Sequence, residues 1–330
     1  MTNDLVPIGI DVGYGDTKVV GPDGRRHCSP SRWAPHRATA WGIGHAAKVL
    51  TLGGGEPFVV GEAADGLPGV REPQADGRLA DPATLPLLVA ALHAAKLPDG
   101  AEVALGSGLP LGRFDAEAPA AREALRGRTL VIGQGKDVRR VTIRKVVLRP
   151  QGVGAALHLV ATGALHARSG LVLVVDVGSR TCDVLALHAR TLEPIPELSG
   201  SLALGVGDAA AALAQQIAAQ AGFVPPAALA REALAHEVVY RGETYGGSRM
   251  AAPHLDMLAG RVSDGLRSLL RESLDAVSAL ALVGGGAVLL GSRLADLPGE
   301  RVRCPAADAP YANALGYRVS AERALRRAVS

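Results

Sequence analysis

The sequence predicts an α/β fold built as two similar halves, and three observations carry that prediction. Apolar strand-like runs alternate with Ala- and Leu-rich helical stretches. Two segments half a chain apart share one pattern. The length, 330 residues, is long for one core and comfortable for two.

The first copy of the pattern is Ile8-Gly-Ile-Asp11-Val-Gly13-Tyr14-Gly15-Asp16-Thr17-Lys18-Val-Val20. The second is Leu171-Val-Leu-Val-Val-Asp176-Val-Gly178-Ser179-Arg180-Thr181-Cys-Asp183-Val-Leu. Each reads as a buried strand, then Asp-Val-Gly, then a tight polar turn carrying a Thr, then a second strand. The two Asp residues lie 165 positions apart, half the chain, so an internal duplication opening each half on a hairpin is the simplest reading.

The remaining elements follow in order. From residue 21 to 81 the chain is rich in Gly, Pro and His and reads as short strands and loops, among them Phe58-Val-Val-Gly61-Glu62. A helix is expected from Leu85 to Lys96, closed by Pro98 and Gly100. A strand from Glu102 to Leu105 leads into a loop over Gly106 to Pro110. Basic and apolar residues mix from Val138 to Leu148, as in one or two partly exposed strands; Gln151 to Ala167 reads as a helix. In the second half Asp208 is expected to cap a helix running to Ala221. Helices are expected over Leu229–Val239 and Leu255–Leu274. A short buried strand, Ala279–Val283, then enters Gly284-Gly285-Gly286-Ala287, and a helix runs from Tyr311 to Ala328.

Composition limits the function classes. Hydrophobic residues make up 48% and charged residues 20%, as expected of a folded globular chain. Aromatics are only 3%, which implies aliphatic cores and argues against stacking platforms for single strands. A net charge of +3 is mild for this length, so direct nucleic-acid binding is not expected. Cys28, Cys182 and Cys304 are too scattered for a metal site or a disulfide framework, which suits a reducing compartment. The nine histidines show no metal spacing either. The start has no signal-peptide pattern and no apolar run reaches the roughly 18 residues of a membrane span. The tail from Ala321 to Ser330 lacks a bulky apolar face. A soluble, cytoplasmic protein with no membrane partner is the expectation.

Asp-Val-Gly before a polar turn suits phosphate binding. Glycines permit positive φ and let backbone N–H groups approach a phosphate closely. Hydroxyls and Lys18 add donors. Asp11 and Asp176 are placed to hold hydrated magnesium, which keeps several waters and takes one or two carboxylates. Either hairpin alone is equally an ordinary turn; the pair at one internal position favours a triphosphate clamped from both sides. Gly284-Gly285-Gly286-Ala287 can lie flat against adenine and ribose, and it lacks both the dinucleotide and the P-loop spacings.

The order hairpin, hairpin, glycine turn resembles the phosphate 1, phosphate 2 and adenosine motifs of the actin, chaperone and sugar-kinase superfamily. Within it, Asp11 to Lys18, Gly108-Leu-Pro110, Phe58 to Glu62 and Tyr311-Ala-Asn-Ala-Leu-Gly316 are most similar to plasmid-segregating actin-like proteins of the ParM and StbA type. The resemblance runs from residue 8 to 316. It implies a duplicated ribonuclease H-like, two-lobed ATPase fold with mixed sheets flanked by helices. Lobe I would span 1–165 with a small insertion near 33–81, and lobe II 166–330 with an insertion near 200–260.

The resemblance also implies roles. Asp11, Gly13, Tyr14, Gly15, Asp16, Thr17 and Lys18 would bind phosphates and magnesium. Asp176, Gly178, Ser179, Arg180 and Thr181 would form the opposing loop, with Asp183 steadying its turn. Gly284, Gly285, Gly286 and Ala287 would line the adenosine site, for ATP or GTP. Gln151 falls where relatives place the residue that orients the attacking water, as glutamines do in other nucleotide hydrolases; the other reading is a helix cap. Arg180 stands where most relatives carry a small residue, and it either reaches a phosphate or points to solvent. The run Arg139 to Lys145 is read as a partner contact or as the solvated face of an edge strand. The implied function is a slow ATPase forming head-to-tail filaments that move a plasmid through a small DNA-binding adaptor. A non-polymerising scaffold and a small-molecule kinase are the alternatives.

Overall fold

A computed structural model describes residues 5–36, 49–73, 79–134, 137–166 and 169–327. The chain forms two compact units, Met1–Ala161 with Tyr311–Ser330, and Thr162–Pro310. Parts of the expected insertion near 33–81 lie outside the described residues, as do residues 167 and 328; the helices expected to reach them already stop at Ala161 and Arg326, and the described residues 162–166 are not helical.

In the first unit, β1 (Val6–Val12) buries Ile8, Ile10 and Val12, and β2 (Asp16–Val20) returns against it. β3 (Arg26–Pro30) continues the meander, while β4 (Trp33–Pro35) pairs separately with β6 (Phe58–Val60). β5 (Thr51–Leu52) closes the far edge of the main sheet. Next come α1 (Leu85–Ala94), β7 (Ala101–Leu109), α2 (Phe114–Leu125), β8 (Thr129–Gln134), β9 (Asp137–Pro150) and α3 (Val153–Ala161). The strand order is β3-β2-β1-β7-β9-β8-β5, with β7 parallel to both β1 and β9.

Several expectations change here. Gly106 to Leu109 is strand, because β7 is central and its backbone groups pair on both sides. β9 is interior rather than an edge. Its pleat buries Val141 and Ile143, and its exposed arginines meet local carboxylates: Arg140 pairs with Asp99 at 3.5 Å and Arg144 with Glu102 at 2.5 Å. Such surface pairs contribute little stability, but they neutralise the run that sequence patterning singled out. α2 gives a weak sequence signal, since Pro119 interrupts it and only Ala118, Ala121 and Leu125 are buried.

The second unit repeats the plan. β10 (Leu171–Val177), buried throughout, pairs antiparallel with β11 (Cys182–His188), which pairs with β12 (Gly200–Leu202). α4 (Val206–Ala221), α5 (Ala227–Glu232), β13 (Glu237–Tyr240), β14 (Glu243–Gly246) and α6 (Gly247–Leu270) follow. β15 (Val277–Val283) then runs parallel to β10, and α7 (Ala287–Leu290) and β16 (Glu300–Val302) complete the unit. The order β12-β11-β10-β15-β16 reproduces β3-β2-β1-β7-β9 in sequence and sense. Leu213, Ile217, Val262 and Leu266 are fully buried in this unit's core.

Two details of this unit depart from expectation. The helix expected to Val239 ends at Glu232, since Val238 and Val239 enter the β13–β14 hairpin. Its turn has positive φ at both Arg241 (54°) and Gly242 (87°), which suits the twist of the flanking strands. Asp208 is not the first capping residue. Gly205 is, and Asp208 sits at the third helical position, accepting the Gly205 N–H at 2.9 Å.

The final helix, α8 (Ala312–Arg326), belongs to the first unit, not to the second half that a cut at 165 assigns it. Small residues explain the packing. A Cβ on Gly106 would stand 2.0 Å from the Tyr317 carbonyl oxygen, and one on Gly316 1.6 Å from that of Gly154. The helix therefore lies closer to β7 and α3 than side chains permit.

Candidate functional site

Each unit gathers its chemistry at the carboxyl ends of its parallel strands, where open α/β sheets generally bind ligands. In the first unit β1 ends at Asp11 and Val12, and β7 and β9 end level with each other at Leu109 and Pro150. Gln151 follows, its backbone N–H donating to the Leu109 carbonyl at 2.8 Å and its residue only 8% exposed. Helix α3 is capped by another residue: Asn313 Oδ1 accepts from the N–H groups of Gly152 and Ala155, both at 3.1 Å. Sequence reasoning offered Gln151 for that cap. Asn313, 160 residues away in α8, takes the orphan donors of the first turn.

The first hairpin turns on Gly13, whose N–H donates to the Asp16 carbonyl at 3.1 Å. Asp11 stands opposite Lys18 across the ladder. Asp11 is 6% exposed, and its Oδ1 is buried with no hydrogen-bond partner among the described residues. A buried carboxylate oxygen left in this state costs free energy unless a cation or donor completes it. Tyr14, Asp16 and Lys18 are partly exposed around the tip. Thr17 is placed otherwise than expected. It is 2% exposed, with its hydroxyl 2.9 Å from that of Ser31, so it braces the hairpin rather than offering a donor at the tip.

The second hairpin closes on the same bond, Gly178 N–H to the Thr181 carbonyl at 2.9 Å. Ser179 and Arg180 therefore occupy the positions of Tyr14 and Gly15. The threonines that look equivalent in sequence are not in register: Thr17 lies in a strand, Thr181 in the turn. Arg180 is exposed. The Thr181 hydroxyl lies 3.5 Å from Asp183 Oδ2, at the outer limit of a hydrogen bond. None of Gly13, Gly15 and Gly178 has the positive φ expected of it. A Cβ on Gly13 or Gly178 would instead come within 2.9 or 3.0 Å of the carbonyl oxygen across the turn.

The structure joins this hairpin directly to the glycine turn. Gly286 N–H donates to the Val177 carbonyl at 2.9 Å, and Gly284 adopts φ +86°. A Cβ on Gly284 would lie 2.2 Å from Asp176 Oδ1, so only glycine fits. Gly285 is exposed with nothing within 4 Å of a Cβ, an open peptide surface of the kind a flat ring can cover. Ala287 is buried as the first residue of α7. A further contributor escaped the sequence reading: Val206 and Gly207 donate to the carbonyls of Gly178 and Ser179 at 3.0 and 2.8 Å, seating α4 on the turn. The available signal was Gly205-Val-Gly207 directly before a helix.

Burial holds the Cys182 thiol well above its usual range, helped by the negative charges of Asp176 and Asp183. Cys28, opposite Lys18 on β3, is pushed up to about 11, mainly by desolvation and then by Asp16. Neither thiol is an activated nucleophile. Among the described residues, no helix is long and apolar enough to cross a membrane.

Residues 9–154 match the family described as actin-like proteins, N-terminal domain, and residues 174–296 match the archaeal actin homologue MreB-like C-terminal family. Archaeal actin homologs of Thermoplasma acidophilum and Thermoplasma volcanium are each 46% identical over 327 residues, covering 97% of this chain and all of the relative. The crystal structure of Ta0583, an archaeal actin homolog, in complex with ADP superposes with a TM-score of 0.88 at 45% identity, covering 97% of this chain and 100% of that one. A 15-stranded ParM filament from Clostridium botulinum superposes at 0.80, covering 97% of this chain and 99% of that one; at 19% identity it shares the fold and no more. The ParM-type resemblance thus reduces to a distant structural likeness, and the chain belongs to the archaeal actin homologues of the actin-like superfamily.

Proposed function

We propose that this protein binds ATP with magnesium, hydrolyses it slowly, and couples that cycle to head-to-tail assembly of its own copies. The observation that carries the reading is the repeated strand-Asp-turn unit, buried in both halves and locked in the second to an open glycine turn. The ADP complex of a 45%-identical relative supports it.

The first unit supplies Asp11, whose buried oxygen suits a water of a hydrated cation, the tip amides around Gly13 to Gly15, and Lys18. The second supplies Asp176 and the amides of Gly178 to Thr181 for phosphate oxygens, and Gly285 for the base. Bound magnesium would neutralise charge developing on the transferred phosphoryl group. Gln151, neutral and held at the end of β9, orients a water by hydrogen bonds through its carboxamide. Assembly is inferred from the filament formed by a structural neighbour of the same fold; a plasmid cargo carried through a small adaptor rests on the ParM resemblance alone.

Right-angle light scattering with ATP and magnesium, against ADP, tests the reading. Scattering is expected to rise and then decay as phosphate is released. Gln151→Ala should slow phosphate release by about 100-fold or more while scattering persists. Nucleotide binding with no rise at any concentration would sink the assembly part, and unchanged hydrolysis in the variant would remove Gln151 from its role.

A further inference from the structure

The first unit sets a concentration of positive charge beside an open strand edge, and neither takes part in the nucleotide or assembly readings above. β9 is interior only over Asp137 to Thr142, where β8 pairs with it. On its other side β7 accompanies it as far as Pro150. From Arg144 to Pro150, among the described residues, no strand pairs with the side that β8 has left. Only Leu148 is buried in that stretch. A strand edge of this kind is a template for another chain.

Positive charge converges there from β9, α8 and α2. Lys145 and Arg149 lie on one face of β9. Lys145 Nζ donates to the Ala324 carbonyl at 2.6 Å, and Arg149 Nε donates to Ser320 Oγ at 2.8 Å. Both contacts reach α8, and on that helix they bracket Arg323. Arg327 follows one turn later, and Arg122 comes from α2, which packs on β9. The earlier arginines of the strand, Arg140 and Arg144, each meet a carboxylate. Among the described residues, Arg122, Arg149 and Arg323 do not; Glu322, beside Arg323, pairs with Arg318 at 3.3 Å instead. Partial desolvation, then the charges of Arg327, Arg122 and Arg323, hold the Arg149 guanidinium below the usual arginine range. The dipole of α8 accounts for arginines in its last turn, Arg323 and Arg327, but not for Arg122 and Arg149. Like charges gathered in this way repel one another until an anion completes them.

We propose that this edge receives an extended acidic segment of a partner protein, which adds to β9 as a strand and sets its carboxylates against Arg122, Arg149, Arg323 and Arg327. Main-chain hydrogen bonds supply affinity in such additions, and side chains supply specificity. With Nε held by Ser320, the Arg149 guanidinium keeps its terminal nitrogens for a carboxylate. A free phosphate would use the charges and leave the edge unpaired, whereas an acidic strand satisfies both.

Fluorescence anisotropy with a labelled eight-residue peptide alternating valine and glutamate tests the contact. The peptide should bind at low ionic strength, and its lysine-for-glutamate counterpart should not. Arg149→Ala, and the double variant Arg323→Ala with Arg327→Ala, should each bind it at least about ten-fold more weakly, with thermal midpoints equal to the parent's. Two further peptides carry N-methyl groups on alternate amides, one in each register. One should bind like the unmodified peptide and the other at least about ten-fold more weakly, because a strand turns alternate amides to its neighbour. Equal affinities for the two methylated peptides would reduce the cluster to a simple anion site and overturn strand addition. No binding of the glutamate peptide at low salt, or full binding by the arginine variants, would overturn the proposal outright.

Discussion

The β1–β2 and β10–β11 hairpins close on the same backbone bond, but different charges stand across from their aspartates. Asp11 faces Lys18, a matched pair, whereas Asp176 faces Asp183, with both of those carboxylates buried. Like charges directly opposed in a ladder are destabilising, opposite charges mildly stabilising. The second hairpin is instead held from outside, by the α4 amides on its turn carbonyls and the glycine turn on Asp176 and Val177. The first has a neutral register pair and rests on Ser31, whose N–H donates to the Gly15 carbonyl at 2.8 Å. Repetition has kept the backbone and divided the chemistry: one copy sets a lysine opposite its strand-end aspartate, the other sets a second aspartate there and is seated on α4 and the glycine turn.

If that support is real, its removal should be the largest effect. Gly284→Ala forces a side chain into positive φ and against Asp176, costing about 2–4 kcal/mol from strain and overpacking together. Gly285→Ala, one residue on, meets open space and should cost under about 1 kcal/mol. Urea midpoints of the two variants decide the matter. Equal midpoints would mean that the turn can move off Asp176, and the contrast between the hairpins would lose its structural basis.

Much of this was legible in sequence, for physical reasons that differ by residue. The hairpins could be read because buried strands ending in Asp-Val-Gly leave few alternatives for the chain. Both Asp11 and Asp176 stand at those ends. What could not be read depended on partners distant in sequence. The Gly106–Pro110 stretch looks like a loop until α8, two hundred residues later, presses Tyr317 against its glycine. Asn313 caps α3 across a similar distance, so local capping rules pointed to the wrong side chain. The threonines misled because residue type was matched without the ladder register, which places Cys182, not Thr181, opposite Val177 as Thr17 is opposite Val12. Leu229–Val239 failed where a helical alanine run passes into a β-branched pair with no Gly or Pro between.

A smaller effect tests the charges themselves. Asp183→Asn removes one of the opposed carboxylates and should raise stability in metal-free buffer by about 0.5–1 kcal/mol. The stabilisation gained on adding magnesium with nucleotide should shrink in the same variant. Lys18→Asp creates the second hairpin's arrangement in the first and should lose a similar amount. Thermal melts with and without magnesium read both changes. Were Asp183→Asn to destabilise the protein, the carboxylate would be serving the fold as an acceptor, and the like-charge account would fail.

The smallest effect concerns the tips. Arg180 occupies the position of Gly15, and it is absent from the residues with positive φ, so an L side chain sits there without backbone strain. Arg180→Gly should therefore change stability by no more than about 0.5 kcal/mol. That leaves nucleotide affinity as a clean readout. If the guanidinium reaches a phosphate, ADP affinity should fall about five-fold at low ionic strength, with the gap closing as salt is raised, because an exposed charge is readily screened. The reading in which Arg180 reaches a phosphate predicts that fall. An unchanged affinity at every ionic strength would make both tips backbone donors alone, and would confine the difference between the hairpins to Asp176, Asp183 and their supports.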